Sequence, residues 1–215
     1  IFVQSAGSGD INISGTSGGG SGTPFNILFI GANILANDGA VNLLGGSAGG
    51  TIFSSSFAST IGYKSTSDIT NSSSDITVTA DKFDLTSGIA FNTAGSLTIK
   101  PTDGNSFLST FNTSSLTYSS DLAGLTIGSE TNTADVTIGS ATTINGPISV
   151  YGGDISVTDD LNTTAAAASG DILLKASGIG FVLPLGGDII GSGELTLSKL
   201  SLLAILQSSY GNIKN

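Results

Sequence analysis

The 215-residue chain contains no cysteine, histidine, arginine, methionine or tryptophan, and only four prolines. Each absence removes a class of chemistry. Without histidine or cysteine there is no Ser-His-Asp or Cys-His machinery, no thiolate or imidazole zinc site and no haem or iron–sulfur ligation. Without arginine there is no bidentate clamp for phosphates or carboxylates. All six cations are lysines, set against 16 acidic residues for a net charge of −10, so no basic footprint for nucleic acid or anionic membrane exists. The longest apolar stretch, 200–206, is interrupted by Ser201 and is too short to span a bilayer. A start at Ile1 without any methionine reads as a processed or excised segment, with no signal-peptide pattern at the front.

What is abundant is small and polar: 31 Gly, 34 Ser and 25 Thr, far above average usage. Charged residues make up only 10% and mean hydropathy is +0.32, which is not the composition of a disordered chain. A single folded unit is expected at this length.

A short word recurs: a small residue, an aspartate, then alternating apolar and small polar residues. It is read at Gly9-Asp10-Ile11-Asn12-Ile13, Ser74-Asp75-Ile76-Thr77-Val78, Ala134-Asp135-Val136-Thr137-Ile138, Gly153-Asp154-Ile155-Ser156-Val157 and Gly170-Asp171-Ile172-Leu173-Leu174. Variants occur at Gly95-Ser96-Leu97-Thr98-Ile99, Gly124-Leu125-Thr126-Ile127 and Gly193-Glu194-Leu195-Thr196-Leu197. Each word has period two, the pattern of a short half-buried strand. The steps from Ile76 to Leu97, Val136 to Ile155, Ile155 to Ile172 and Ile172 to Ile189 all lie near 20 residues, the sign of a solenoid. Between words stand Gly-Gly, Gly-Ser, Asn-Gly and Asp-Gly pairs suited to corners of positive φ.

The fold expected is all-β: a right-handed parallel β-helix with coils of about 20 residues, about ten coils and on the order of 50 Å long at ~4.8 Å per coil. Residues 1–194 form the repeat region. Residues 195–215, where the pattern changes, form a C-terminal cap or docking segment, built from two strands or a short amphipathic helix. Residues 107–118 read as an insertion or decorated coil, because the step from Leu97 to Leu125 is long.

Leu125-Thr126-Ile127-Gly128, then the run from Ala134-Asp135-Val136 through Ala141-Thr142-Thr143-Ile144 and Gly146-Pro147-Ile148-Ser149-Val150-Tyr151 to Gly170-Asp171-Ile172, is similar to bacterial filamentous-haemagglutinin-like proteins. The likeness covers residues 95–178, and after Gly178 the text Ile179-Gly180-Phe181 departs from the repeat word. The resemblance implies a right-handed β-helical shaft of a secreted surface adhesin, often exported by a two-partner route. It carries over no catalytic residue.

Candidate sites are spread along the whole chain. Asp159-Asp160, Asp81 with Asp84, and the word-initial Asp135, Asp154, Asp171 and Asp188 are the carboxylates available for acid–base chemistry or calcium. The lysines at 64, 82, 100, 175, 199 and 214 are scattered, so no lyase-like cluster forms, and each word-initial aspartate is expected to cap its own turn. The calcium nonapeptide of β-rolls is absent. The glycine-rich stretch 15–22 lacks a phosphate-loop or dinucleotide pattern and reads as a surface loop. Thr77-Val78-Thr79 and Thr131-Asn132-Thr133 have the form of an ice-binding face but do not recur at the coil period. Tyr63, Tyr118, Tyr151 and Tyr210 with Phe107 and Phe111 are either a sugar- or protein-contact patch or corner fillers. Asn12, Asn71, Asn112 and Asn162 head glycosylation sequons.

These readings assign no catalytic, cofactor or metal residue. They point to a non-enzymatic extracellular or cell-surface structural protein, an adhesin segment or a self-assembling fibre subunit. Its partners would be itself or a host-surface glycan or protein, with no nucleic acid and no membrane insertion. A polysaccharide lyase or hydrolase on the same scaffold and an ice-binding solenoid are the alternatives.

Overall fold

The computed structural model describes residues 2–5, 7–15, 27–45, 53–55, 57–62, 73–163, 170–178, 181–182, 188–191, 193–198 and 213–214. These contain strands, turns and bends and no helix.

Alternation in the words becomes strands, and the strands come in threes. After β1 (Phe2–Ser5) the chain runs through β2 (Ile11–Ser14), β3 (Ile27–Phe29), β4 (Asn33–Ala36), then β5 (Val41–Leu44), β6 (Phe53–Ser55), β7 (Ser59–Gly62). It continues through β8 (Ile76–Thr79), β9 (Asp84–Leu85), β10 (Ile89–Asn92), then β11 (Ser96–Lys100), β12 (Phe111–Asn112), β13 (Leu116–Tyr118). Next are β14 (Gly124–Ile127), β15 (Val136–Ile138), β16 (Thr142–Thr143), then β17 (Ile148–Gly152), β18 (Ile155–Val157), β19 (Leu161–Asn162). The last are β20 (Ile172–Ala176), β21 (Phe181–Val182), β22 (Ile189–Ile190), β23 (Leu195–Ser198) and β24 (Ile213–Lys214). Every pair is parallel and joins strands three places apart in the chain, except β22 with β24, and β9, β13 and β21 each end a ladder. The result is a parallel β-solenoid with three faces.

One face is a continuous eight-stranded sheet, β2-β5-β8-β11-β14-β17-β20-β23. Its register places Ile11, Val41, Ile76, Leu97, Leu125, Ile148, Ile172 and Leu195 in one column. Two residues on, Ile13, Leu43, Val78, Ile99, Ile127, Val150 and Leu174 form a second. Both point inward, and from Val41 to Leu174 nearly all are fully buried. Aliphatic side chains stacked rung upon rung remove most of their apolar area from water, at roughly 25 cal/mol per Å2. The eight strands span about 34 Å at ~4.8 Å per rung, shorter than the ten coils expected.

The coil length also differs from the sequence reading. Within a column the step is 21 residues from Ile76 to Leu97 but 35 from Val41 to Ile76. Val136 and Ile155 do share a column. By contrast, Ile155, Ile172 and Ile189 lie on three different faces, in β18, β20 and β22, so the 17-residue steps joined words that never stack. All three faces use the same alternating word, and spacing alone cannot tell a whole coil from part of one.

The other two faces change ladder at the coil that holds 101–123. The sheet β3-β6-β9 ends at β9 and β12-β15-β18-β21 begins one coil later; likewise β1-β4-β7-β10-β13 gives way to β16-β19-β22-β24. Residues 107–118 are therefore no outside insertion: β12 and β13 are ordinary rungs, and the long corner before them supplies the extra length. Leu195–Ser198 continues the eight-stranded face as a strand. Of the rest of the expected cap, Ile213–Lys214 pairs with β22 as a strand, and residues 199–212 and 215 lie outside the described residues.

Glycine at the corners answers the expected need at Asp103-Gly104 and Gly128-Ser129, where φ is positive, and a different need elsewhere. Positive φ occurs at Gly31, Gly62, Gly104 and Gly128. At Gly146, with no positive φ, a Cβ would be driven into the carbonyl of Ala123 in the preceding coil. Close passage of the neighbouring backbone, rather than handedness, excludes a side chain there.

Candidate functional site

The aspartates come first, because they were the candidate catalytic groups. Four word-initial carboxylates, and Asp160, reach the next coil instead of their own turns. Asp10 Oδ1 accepts the Ala40 N–H (2.9 Å), Asp75 Oδ1 that of Ser96 (2.8 Å) and Asp135 Oδ1 that of Asp154 (2.9 Å). Asp160 Oδ1 takes the Asp188 N–H (2.9 Å) and Asp171 Oδ1 that of Glu194 (2.7 Å). In every case the donor occupies the same register position one coil later. Its carbonyl usually completes the link, as when Val136 N–H donates to Asp154 O (2.9 Å) and Ile172 N–H to Glu194 O (2.9 Å). One position tests the rule. Pro147, which has no N–H to give, faces Gly124 rather than an aspartate.

These carboxylates sit in different settings. Asp81 is 2% exposed and accepts the Thr102 N–H (2.8 Å), the Thr102 hydroxyl (2.6 Å) and Asn105 Nδ2 (3.0 Å), whereas Asp84 sits exposed in β9. Asp159 Oδ1 is taken by the Asp160 N–H (2.9 Å). Asp135 and Asp154 share a face, but Asp171 and Asp188 belong to two others, so the four do not form one acidic column. Among the described residues no three carboxylates converge to hold a metal ion.

The threonine motifs part company. Thr131 and Thr133 lie in a corner, bonded to Asn105 O (3.3 Å) and the Ser106 hydroxyl (3.0 Å). Thr77 faces outward in a column with Thr98 and Thr126, a hydroxyl ladder hidden from the sequence because its members sit in three separate words. The parallel outward column through Thr79 reads Leu44, Thr79, Lys100, which breaks any flat threonine array. Phe107 and Phe111 are buried, stacked at 4.9 Å, with Phe83 set edge-on to both at 5.7 and 5.0 Å. They line a cleft of about 150 Å3 where the ladder breaks between β9 and β12. Tyr118 stacks on Phe91, its hydroxyl is buried without a hydrogen-bond partner, and burial pushes its pKa far above the usual phenol range. Of the sequon asparagines, Asn12 and Asn112 are exposed and Asn162 is half-buried. Asn71, Tyr63, Tyr210, Lys64, Lys199 and residues 16–22 lie outside the described residues.

The structure brings together one group that spacing did not. At the corner after β14, Asn132 is 1% exposed and stitches three coils. Its Oδ1 accepts the N–H of Phe107 (3.1 Å) and of Ala134 (3.2 Å); its Nδ2 donates to Tyr151 O (2.9 Å) and Ala134 O (3.2 Å). Above it opens a concavity of about 120 Å3 lined by Ser129, Glu130, Tyr151, Lys175 and Ser177. Lys175 Nζ bonds Glu130 Oε1 at 2.9 Å and lies 5.9 Å from the Tyr151 ring centre. The hydrogen bond and charge of Lys175 hold the Glu130 carboxyl below its ordinary value, and Glu130 in turn raises Lys175. Tyr151 had been singled out in the sequence among the aromatics. Glu130 and Lys175, 45 residues apart, carried no signal that they meet.

No family model, curated protein or solved structure matches this chain.

Proposed function

We propose that this chain is a non-enzymatic extracellular β-solenoid, a shaft segment of a bacterial surface adhesin or the subunit of a self-assembling surface fibre. The observation that carries the reading is the commitment of the carboxylates. Asp10, Asp75, Asp135, Asp160 and Asp171 each clamp the backbone of the following coil, so the acidic residues serve the stack itself. The outward column Asn12, Asn42, Thr77, Thr98, Thr126 and Ser149 gives a weakly charged hydroxyl and amide surface, suited to broad polar contact. The likeness of residues 95–178 to filamentous-haemagglutinin-like proteins supports a surface location.

Sedimentation velocity over a wide range of concentration tests this. An elongated species of high frictional ratio is expected, either constant in size for a shaft or growing with concentration for a fibre subunit. A compact sphere would refute both. Cleavage of acidic polysaccharide that disappears in Asp160→Ala would instead establish the lyase or hydrolase alternative.

A further inference from the structure

We propose that the corner formed by Tyr151, Lys175 and Glu130 is a binding site for a neutral saccharide ring. The proposal deepens the adhesion reading by naming a ligand class and a place for it.

The argument starts from the column of outward residues on the eight-stranded face. Tyr151 is followed one coil later by Lys175, and Gly128 before it passes so close to the Tyr151 carbonyl that a Cβ there would collide with it. The half-buried Tyr151 ring beside a concavity of about 120 Å3 is suited to the apolar face of a sugar ring, since tyrosine combines an apolar body with a polar tip. On its other side stand a cation and a carboxylate 2.9 Å apart, a separation close to that of two vicinal hydroxyl oxygens. A hydroxyl pair can therefore accept from Lys175 Nζ and donate to Glu130. Their mutual ion pair is solvent-exposed, with side chains 43% and 74% accessible, and such pairs hold together only weakly, so both groups are available to a ligand.

Charge selects among ligand classes. An anion meets Glu130 on a chain of net charge −10, a cation meets Lys175, and an apolar ligand strips water from both without replacing it. A polyhydroxylated neutral ring satisfies all three groups. The larger cleft at Phe83 offers less: its only charged lining residue, Asp81, already accepts three hydrogen bonds. The exposed apolar side chains of Ile30 and Phe57 offer no polar group to orient a ligand.

Saturation-transfer NMR with the methyl glycosides of glucose, galactose, mannose and N-acetylglucosamine, and with glucuronic acid as the charged comparison, tests the site. At least one neutral glycoside is expected to receive saturation. Its affinity should fall by about tenfold in Tyr151→Ala, fall likewise in Glu130→Gln and Lys175→Gln, and persist in Tyr151→Phe, where the stacking face is kept. Lys100→Gln, an ion-paired lysine in the same outward column, should leave binding unchanged. Glu130→Gln alters an exposed side chain, so its result does not depend on folding. Transfer to no neutral glycoside, equal transfer in Tyr151→Ala, or a preference for glucuronic acid would overturn the proposal. Sedimentation is indifferent to these variants, so the site and the rod fail separately.

Discussion

Replacing Asn132 by alanine removes the side chain that ties the corner at 128–134 to the coils on either side. Two of its bonds cross coils, from Phe107 N–H at 3.1 Å and to Tyr151 O at 2.9 Å. Each contributes about 1 kcal/mol net, and the buried Phe107 amide, left without an acceptor, adds a desolvation cost of about 1–3 kcal/mol. The bonds to Ala134 N–H and O are local and partly replaceable by water. The expected total is about 3 kcal/mol, a large share of the ~5–15 kcal/mol that holds a domain together. For a chain of this length that corresponds to a fall of about 6–12 °C in Tm. Thermal and urea unfolding followed by circular dichroism give the global figure. Amide exchange gives the local one, and Phe107 N–H should lose protection before the buried strands do. A loss under about 1 kcal/mol, with the Phe107 amide still protected, would refute the claim that this asparagine joins the coils.

Other perturbations have equally definite outcomes. Tyr118→Phe removes a buried hydroxyl that has no partner, so stability at pH 7 should hold or rise by up to about 1 kcal/mol. Burial raises the Tyr118 pKa in the folded state, so its contribution is complete below the unfolded value of about 10 and is lost as pH rises beyond that. Alkaline unfolding curves should therefore be flatter above that pH in the phenylalanine variant. Asp75→Ala should cost about 1 kcal/mol and deprotect the Ser96 amide, while Asp75→Asn, which keeps an acceptor oxygen, should cost less; identical losses in urea unfolding would argue against the link. Gly146→Ala should destabilise by about 2 kcal/mol or more, because its Cβ meets the Ala123 carbonyl and backbone cannot yield as a side chain can; a neutral substitution in the same assay would show that the coils are free to shift.

Much of the architecture was legible in the text because burial on a strand has period two. Ile76-Thr77-Val78 and Leu97-Thr98-Ile99 announce their inward and outward residues, and the structure places them in the same two columns. What the words do not carry is register between faces. Ile155 and Ile172 belong to words that both open Gly-Asp-Ile but lie on different faces, so their spacing gave a coil too short. The same ignorance concealed what the aspartates hold. A carboxylate before a strand has a turn at hand to cap, and only the stacking shows that the N–H of the next coil is nearer. Asn132 had been read as the centre of a threonine motif, when burial makes it the working residue and its neighbours the solvated ones. The candidate site was half visible: Tyr151 stands out as one of four tyrosines, while the ion pair beside it exists only through two coils of stacking.

Among the described residues, Asp10, Asp75, Asp81, Asp135, Asp160 and Asp171 each accept a backbone N–H from the coil that follows, so the acceptor lies earlier in the chain and the donor later. The solenoid therefore has a polarity that its parallel ladder alone does not impose. As a chain emerges from its N-terminal end, each finished turn already displays a fixed anion where the next peptide group will arrive. Growth from that end proceeds on a primed template. Growth from the opposite end would have to place the peptide first and wait for its counter-group, so synthesis, which delivers the N-terminal end first, matches the order in which this stack is easiest to lay down.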